Sequence, residues 1–431
     1  MSEAIRETRR ATAWQESPGP RCDMTNGSLL FLLNGYNDID HIAPVIWRCS
    51  ARGNRCIMIV SRHYDWTTDY RIHFVRQSPN VEVFEPRGMR MPSVAGKIYR
   101  RLSYGRRFAS RFLTSHRVVA CVTEWYRPSG DIRGRLLHAA RTLGIPCFSL
   151  PHGCNVHLNY NTKHALAKEK VRTLGRWADV SAMNVCDCFV VDSAHNRRMY
   201  IDGGIEARKC EAWGSARFCP EWVAKNAEIC PPFAAPGEDA GKVKVAFFLP
   251  HWRNNVNQDA TVGLIRRIAG LPWTYLVVKS HTRGNGEFPE EHRNEFRAYS
   301  NVAIDPPSHS PSFIRWSDVV INFGSSIGID ALVQTKPLIY PVYLHGNTTI
   351  FDASGACLKT QSEDEVMGLL SAAREGAIPA IPEDNTKRLF KEVIYGGREP
   401  FDVLGYYAAR ISGQPGNIAA VHPSGRPMSS P

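Results

Sequence analysis

Short apolar runs alternate with amphipathic stretches along most of the chain. In the first half the apolar runs are Ser28–Leu33, Cys56–Val60, Val81–Phe84, Val118–Thr123, Cys147–Leu150 and Cys188–Val191. Segments with helical spacing separate these runs, most clearly Ile132–Leu143. Apolar strands that alternate with helices are typical of a parallel sheet covered on both faces. The pattern predicts a doubly wound α/β unit whose first helix is capped by Asp38 or Asp40.

The same alternation resumes in the second half of the chain. The apolar runs there are Val243–Phe248, Thr274–Lys279, Val302–Asp305, Val319–Phe323 and Leu338–Tyr340. The helical segments between them lie near Thr261–Ala269, Phe313–Trp316 and Glu363–Ala373. Glu399–Ile411 has the spacing of a last amphipathic helix. The second half is therefore predicted to be another α/β unit of the same kind.

A stretch rich in proline and glycine divides the two units. Cys230–Gly241 contains three prolines and two glycines, a composition typical of a domain boundary. We predict two Rossmann-like doubly wound parallel-sheet domains that face a cleft, with the C-terminal helix packing back on the first domain. The predicted limits are a disordered tail 1–27, a first domain 28–230, a linker 231–241, a second domain 242–398, a helix 399–412 and a disordered tail 413–431.

Composition and length exclude several classes of protein. With 431 residues, 43% of them hydrophobic and 22% charged, the chain has the composition of a soluble protein with two domains. No apolar run approaches the ~20 residues that cross a bilayer, and Met1–Pro20 lacks the apolar core of a signal peptide, so a cytoplasmic location is expected. The twelve cysteines are scattered, which favours reduced thiols. Cys186 and Cys188 lack a second pair at metal-binding spacing, and no metal ligands are predicted.

Positive charge is concentrated in one part of the chain. The formal net charge is +12, and residues 87–117 contain nine Lys or Arg and no acidic residue. Apolar positions with helical spacing run through this stretch, which is compatible with a solvated surface helix, an interfacial helix on anionic lipid, or a groove for an anionic acceptor. The charge also raises nucleic-acid binding as an alternative, but no RNA-recognition or zinc-finger pattern supports it.

A small-residue turn joins the strand Val319–Phe323 to a helix beginning near Ile327. Gly324, Ser325 and Ser326 form this turn. Backbone N–H groups at a helix start, together with serine hydroxyls, can bind a phosphate or diphosphate. Asp330, one turn into the helix, could accept hydrogen bonds from a ribose. The simpler interpretation is that Ser326 only caps the helix and Asp330 only favours its first turn.

Histidines follow three of the predicted strands. They are His152 after Cys147–Leu150, His251 (with Arg253) after Val243–Phe248, and His281 (between Lys279 and Arg283) at the end of Thr274–Lys279. Ligands of parallel α/β sheets bind outside the carboxyl ends of the strands. Groups of this kind in both halves, with the Gly-Ser-Ser turn, indicate one shared site.

These groups suggest separate chemical roles. Lys279, His281 and Arg283 alternate, so in an extended segment they point the same way and could clamp a diphosphate leaving group. His152 lies in the opposite half and could deprotonate an acceptor hydroxyl, because the ordinary pKa of histidine is near 6.5. Glu124 is the second candidate base, or else a solvated loop acid.

Several of these motifs resemble one enzyme class. The chain combines Pro-His-Gly in the first half with Lys-x-His-x-Arg and Ser-Asp…Gly-Ser-Ser-x-Gly-x-Asp-Ala-Leu…Lys-Pro in the second. It therefore resembles the GT-B bacterial transferases that build surface polysaccharides, including capsule and teichoic-acid-type enzymes and CDP-glycerol glycerophosphotransferases. Trp213-Gly214-Ser215-Ala216-Arg217 is similar to a Gly-x-x-Arg element of that class.

The resemblance implies a nucleotide-activated donor in the second domain and a glycan or lipid-linked acceptor in the first. It implies phosphate contacts at His281, Ser325 and Ser326, with Lys279 supporting them and no obligatory metal or other cofactor. Asp330 stands where the class usually has a ribose-binding glutamate. UDP-N-acetylglucosamine 2-epimerases share this architecture and are an alternative, although the sequence shows no dense acid–histidine pattern. A non-catalytic glycan-assembly protein is a further alternative.

Overall fold

The computed structural model describes residues 27–413, except for 61–63, 86–103, 126–129, 159–178, 236–240, 253 and 282–286. The described part contains two parallel sheets. The strands of the first are β1 (Ser28–Leu33), β2 (Arg55–Val60), β3 (Val81–Val83), β4 (Val118–Glu124), β5 (Cys147–Leu150), β6 (Cys188–Val191) and β7 (Cys210–Ala212). Their order is β3-β2-β1-β4-β5-β6-β7.

The second sheet repeats this topology. Its strands are β8 (Val243–Phe248), β9 (Thr274–Lys279), β10 (Val302–Ile304), β11 (Val319–Asn322), β12 (Leu338–Pro341) and β13 (Leu358–Thr360). The order β10-β9-β8-β11-β12-β13 matches that of the first six strands in the first sheet. In both sheets the chain reverses direction of winding next to the first strand, between β1 and β4 and between β8 and β11. Such switch points are where doubly wound sheets bind ligands.

Helices cover both sheets. In the first half they are α1 (Tyr36–Ala51), α2 (Tyr70–Val75), α3 (Arg106–Ser115), α4 (Ile132–Thr142), α5 (Ala194–Asp202) and α6 (Pro220–Ile229). In the second half they are α7 (Gln258–Ala269), α8 (Glu290–Phe296), α9 (Ser310–Trp316), α10 (Ile327–Val333), α11 (Ile350–Ser354), α12 (Glu363–Arg374), α13 (Glu383–Val393) and α14 (Val403–Ser412). Short 3₁₀ turns lie at Trp66–Thr68, Ser181–Met183 and Val342–Leu344.

Burial explains why the strand sequences are apolar throughout. Every residue of β1, β5, β6, β11 and β12 is buried. Strands covered by helices on both faces have no solvent side, so alternation between polar and apolar residues disappears. The predicted fold class, two doubly wound parallel α/β units, is confirmed.

The C-terminal helix packs on the first unit, as predicted. On α14, Tyr407 donates a hydrogen bond of 2.7 Å to the carbonyl of Gly214, and Arg410 pairs with Glu211 at 2.7 Å. Asp402, which caps α14, pairs with Arg48 of α1 at 2.6 Å. Gly214 has a φ of +88°, and a Cβ there would lie 2.3 Å from the carbonyl oxygen of Ile394. Glycine is required at this position because another segment of backbone passes against it.

Some local predictions were wrong. α1 begins at Tyr36 with Gly35 as the N-cap residue, so neither Asp38 nor Asp40 caps it. Strands β7 and β13 were not predicted. The structure describes the basic stretch only from residue 104 onward. Within that part, α3 begins at Arg106. Residues 1–26, 86–103 and 414–431 lie outside the described residues, so the predictions made for them stay predictions.

The predicted domain limits also remain predictions. All strands of the first sheet precede residue 213, and all strands of the second follow residue 242. Within the part of the chain that is described, no helix combines the length and the apolar character needed to span a bilayer.

Candidate active site

One cleft of about 520 Å³ lies between the two sheets. Its lining comes from both halves. The first half contributes Tyr36, Asp40, Trp125, His152, His157 and Arg217, and the second contributes His251, Lys279, His281, Ser325, Ser326 and Asp330, among others. The volume lies within the usual range of pockets for small molecules. The structure thus brings His152, His251, His281 and the Gly-Ser-Ser turn to one cavity.

His152 and Glu124 form a pair on the first-half side of the cleft. Glu124 is the last residue of β4 and is only 5% exposed. Its Oε1 lies 2.7 Å from Nδ1 of His152, which follows the neighbouring strand β5. A carboxylate at Nδ1 favours the tautomer that leaves Nε2 able to accept a proton. The interpretation of Glu124 as a solvated loop acid was wrong, and it faces His152 instead of the cleft.

Trp125 fixes the plane of the His152 ring. The two rings stack with centroids 5.0 Å apart and an interplanar angle of 13°. Trp125 has a φ of +28°, which bulky residues rarely adopt, and its ring forms a T-shaped pair with that of Tyr200, with centroids 5.3 Å apart. Backbone strain of this kind occurs where the surrounding structure holds a functional group in place. The imidazole is therefore held between Trp125 and Glu124.

The Gly324–Ser326 turn forms the opposite wall. Gly324 has a φ of +68°, and a Cβ there would lie 3.3 Å from Cε1 of His157. Ser326 is the N-cap residue of α10, but its side chain makes no capping hydrogen bond. Ser325 Oγ accepts a weak hydrogen bond of 3.4 Å from the Ile327 N–H. The simpler interpretation, in which the Ser326 hydroxyl serves as a cap, does not describe this structure.

The loop after β5 connects the two halves at the cleft. His157 pairs with Thr349 in an antiparallel bridge. Hydrogen bonds of 2.9 Å join Leu158 to Thr348 and Ile350 to Val156 on either side of it. The loop therefore carries His152 at the first-half end and His157, which is 7% exposed, beside Gly324. His157 was not predicted as a site residue.

His251, Lys279 and His281 lie on the second-half side. The rings of His251 and His281 have centroids 5.6 Å apart. Lys279 lines the cleft but also donates to the carbonyl of Pro306 at 3.3 Å, and burial lowers its pKa. A diphosphate would meet two imidazoles and one ammonium group here. Arg253 and Arg283 lie outside the described residues, so their predicted contacts stay predictions.

Arg217 links the two halves across the cleft floor. Its guanidinium lies 3.5 Å from Asp40 of α1 and 3.6 Å from Asp330 of α10. Burial raises the pKa of Asp330 to about 7, with Arg217 acting in the opposite direction and Asp40 adding to the rise. Asp330, predicted to bind a ribose, therefore faces Arg217 and is 7% exposed. It still lines the cleft, so a ribose would compete with Arg217 for it.

A further acid lies behind His152. Asp38, Glu124 and His152 each offer a ligand atom, and these atoms lie within 4.8 Å of one another. In the described part of the chain this is the set of side chains that could hold a metal ion. No dense acid–histidine pattern is visible in the sequence, yet the fold brings these three residues together. The positions of these residues relative to the strands could have indicated the cluster. Asp38 follows β1 and Glu124 ends β4, and these two strands meet at the switch point of the sheet.

Comparison with known proteins shows the fold. The chain matches no protein-family model, and no curated protein matches it. Among solved structures it is similar to a protein from Listeria monocytogenes assigned as a UDP-N-acetylglucosamine 2-epimerase (TM-score 0.53, 12% identity, 89% of this chain and 95% of that one). It is similar to the UDP-GlcNAc 2-epimerase of Neisseria meningitidis bound to UDP-GlcNAc (0.51, 13%, 89% and 98%) and to S. aureus MnaA with UDP (0.50, 11%, 91% and 100%). At such identities the likeness establishes the two-unit GT-B-like architecture and nothing finer.

Proposed function

We propose that the protein is a transferase that moves a sugar or a polyol phosphate from a nucleotide-activated donor to a surface-polysaccharide acceptor, with no obligatory metal ion. The observation that carries this proposal is the shared cleft, with the Glu124–His152 pair on one wall and the Gly324–Ser326 turn on the other. Two of the similar structures hold UDP or UDP-GlcNAc, which supports a nucleotide-activated donor.

The geometry supports a direct displacement. Nε2 of His152 takes the proton of an acceptor hydroxyl as the hydroxyl oxygen bonds to the reacting carbon or phosphorus of the donor. The donor's bond to its phosphate oxygen breaks, and the nucleotide leaves with that electron pair. Ser325, Ser326, His251 and His281 line the side on which this negative charge develops, and donors placed there stabilise the transition state.

A 2-epimerase acting on UDP-N-acetylglucosamine is the second candidate. The cluster of Asp38, Glu124 and His152 favours it, because inversion at a carbon needs groups that remove and return a proton. The named activities of the similar structures support it to a comparable degree.

Product analysis separates the two reactions. We expect ³¹P NMR to show release of nucleotide from one member of a donor set (UDP-GlcNAc, UDP-glucose, GDP-mannose, CDP-glycerol) only when a glycan acceptor is present. The same assay can check whether the release of nucleotide depends on His152. Conversion of UDP-GlcNAc to its C2 epimer without acceptor, with solvent deuterium incorporated at C2, would instead establish the epimerase.

We also propose that the basic surface of the first half, defined by the exposed side chains of Arg106, Arg107 and Arg111 on α3, binds an anionic membrane. Reversing the three charges to glutamate is expected to reduce binding to phosphatidylglycerol vesicles at least about tenfold, since each basic residue contributes on the order of 1 kcal/mol. Co-sedimentation measures this. Charge reversal at Arg208, Arg297 and Lys387, exposed elsewhere, is the control, and an equal loss there would contradict the assignment.

A further inference from the structure

Asp38 lies behind the proposed catalytic pair, outside the cleft lining. It is in the first turn of α1 and is 4% exposed. The backbone N–H of Asn34 donates to its Oδ2 at 2.5 Å. Its carboxyl group approaches Glu124, which in turn lies 2.7 Å from Nδ1 of His152. The three groups form a chain that leads from α1, through the end of β4, to the cleft.

Two carboxylates this close together in a buried site repel each other when both are ionised, which favours retention of one proton. Glu124 and Asp38 are 5% and 4% exposed, so water screens their repulsion poorly. If one of the two groups keeps its proton, the repulsion is removed and the two carboxyl groups can form a hydrogen bond. A cation bound by the three groups would be the other way to remove it, and the titration below distinguishes the two.

The surroundings assign the proton to Asp38. Burial first, and then the hydrogen bond and charge of Glu124, raise the pKa of Asp38 to about 9, against the opposing effects of the Asn34 N–H and of His152. Glu124 lies 2.7 Å from Nδ1 of His152, which can donate a hydrogen bond to its carboxylate. The titratable groups around Asp38 are Glu124 from β4 and His152 from the loop after β5, with Tyr200 of α5 facing Glu124.

We propose that Asp38 is a positioning residue for the Glu124–His152 pair. Its carboxyl group keeps a proton, donates it in a hydrogen bond to Glu124, and so holds that carboxylate against Nδ1 of His152. The proton does not move during turnover, and Nε2 remains the atom that receives the acceptor's proton. The catalytic consequence rests on the proposed function, whereas the hydrogen-bond chain itself does not.

The chain can be tested without any substrate. Full-length protein labelled with ¹⁵N-histidine is titrated from pH 5 to 10, with the His152 signal assigned by its loss in His152→Gln and the exposed His138 as internal reference. Wild-type protein should show a second inflection of the His152 shift near pH 9, where Asp38 ionises. This inflection should be missing in Asp38→Asn, which keeps a donor toward Glu124. The first titration midpoint should agree between the two proteins within about 0.3 unit.

Three results of this experiment would overturn the proposal. The first is the absence of the second inflection in the wild-type protein. A fall of one unit or more in the first midpoint of Asp38→Asn would show that Asp38 carries a charge near neutral pH. Stoichiometric broadening of the His152 signal by Mn²⁺ would show that the cluster binds a cation instead of a proton. The wild-type titration does not depend on Asp38→Asn, so a folding defect in that variant would not remove the test.

Turnover supplies a second readout. Asp38→Ala, which lacks a donor, should lose at least about tenfold more kcat than Asp38→Asn, as expected for one hydrogen bond to a charged group. Equal losses would make Asp38 a packing residue. If no donor reacts but the titration behaves as stated, the proposed function fails and the hydrogen-bond chain stands. If transfer occurs but the inflection is absent, only the role of Asp38 fails.

Discussion

Replacing His152 by alanine is expected to lower kcat by about 10²- to 10⁴-fold, with a change of less than about twofold in donor Kd. Nε2 of His152 is the proposed base, and His152 lines the cleft, while the groups proposed to bind the donor lie on the opposite wall. Loss of the base therefore affects the transition state and leaves the bound donor's contacts in place. Glu124→Gln is expected to lower kcat by a factor in the same range, because the Nδ1–H group of His152 then lacks a charged acceptor. Steady-state kinetics and isothermal titration calorimetry measure the two quantities.

The control is His138→Ala, which alters an exposed histidine on α4 in the same half. It should change neither quantity. If His152→Ala weakened donor binding as much as turnover, His152 would be a structural residue, and the proposed displacement would lack its base.

Replacing Arg71 by methionine is expected to lower the free energy of unfolding by about 3–5 kcal/mol. The Arg71 side chain is fully buried, and it pairs with Asp69 at 2.6 Å and with Asp40. Its guanidinium also lies 4.2 Å above the ring of Tyr36. Without it, two acids would be left in a poorly hydrated site, and Asp40 would lose a partner that fixes it at the cleft. Urea denaturation followed by tryptophan fluorescence measures the change.

An exposed pair in the same half provides the contrast. Arg55 lies 2.8 Å from Glu82 with both side chains about half exposed, at 51% and 45%. Arg55→Met is expected to cost about 1 kcal/mol or less, because solvent screens this pair. Equal effects of the two substitutions would show that burial does not determine the strength of the Arg71 cluster.

The sequence predicted most of the sheet because the strands are buried on both faces. β1, β5, β6, β8 and β9 have the limits read from their apolar runs. Strands β7 and β13 were not predicted because each has a charged central residue and contains no valine or isoleucine, so neither shows the apolar pattern that marked the other strands. The prediction that Asp38 caps α1 was wrong. The sequence alone does not distinguish an acid that caps a helix from an acid in the first turn whose side chain points toward the end of another strand.

The site was predictable as a collection of strand ends but not as a set of contacts. The rule that ligands bind at the carboxyl ends of parallel strands led to His152, His281 and Ser325. No spacing rule reveals that Glu124 faces His152, because Glu124 ends β4 and His152 follows β5, and only the sheet makes these strands neighbours. His157 was missed for a similar reason, since its place beside Gly324 depends on a bridge between the two halves.

The proposed transferase depends above all on nucleotide binding at the Gly324–Ser326 turn. We predict that calorimetry with UDP, CDP, GDP and CMP finds at least one ligand, and that Ser325→Ala/Ser326→Ala weakens it at least about tenfold, or ~1.4 kcal/mol. Ser362→Ala, which removes a serine that caps α12, is the control and should leave the affinity unchanged. If none of the four nucleotides binds, or if the double variant and the wild type bind with equal affinity, the Gly324–Ser326 turn is not a nucleotide site.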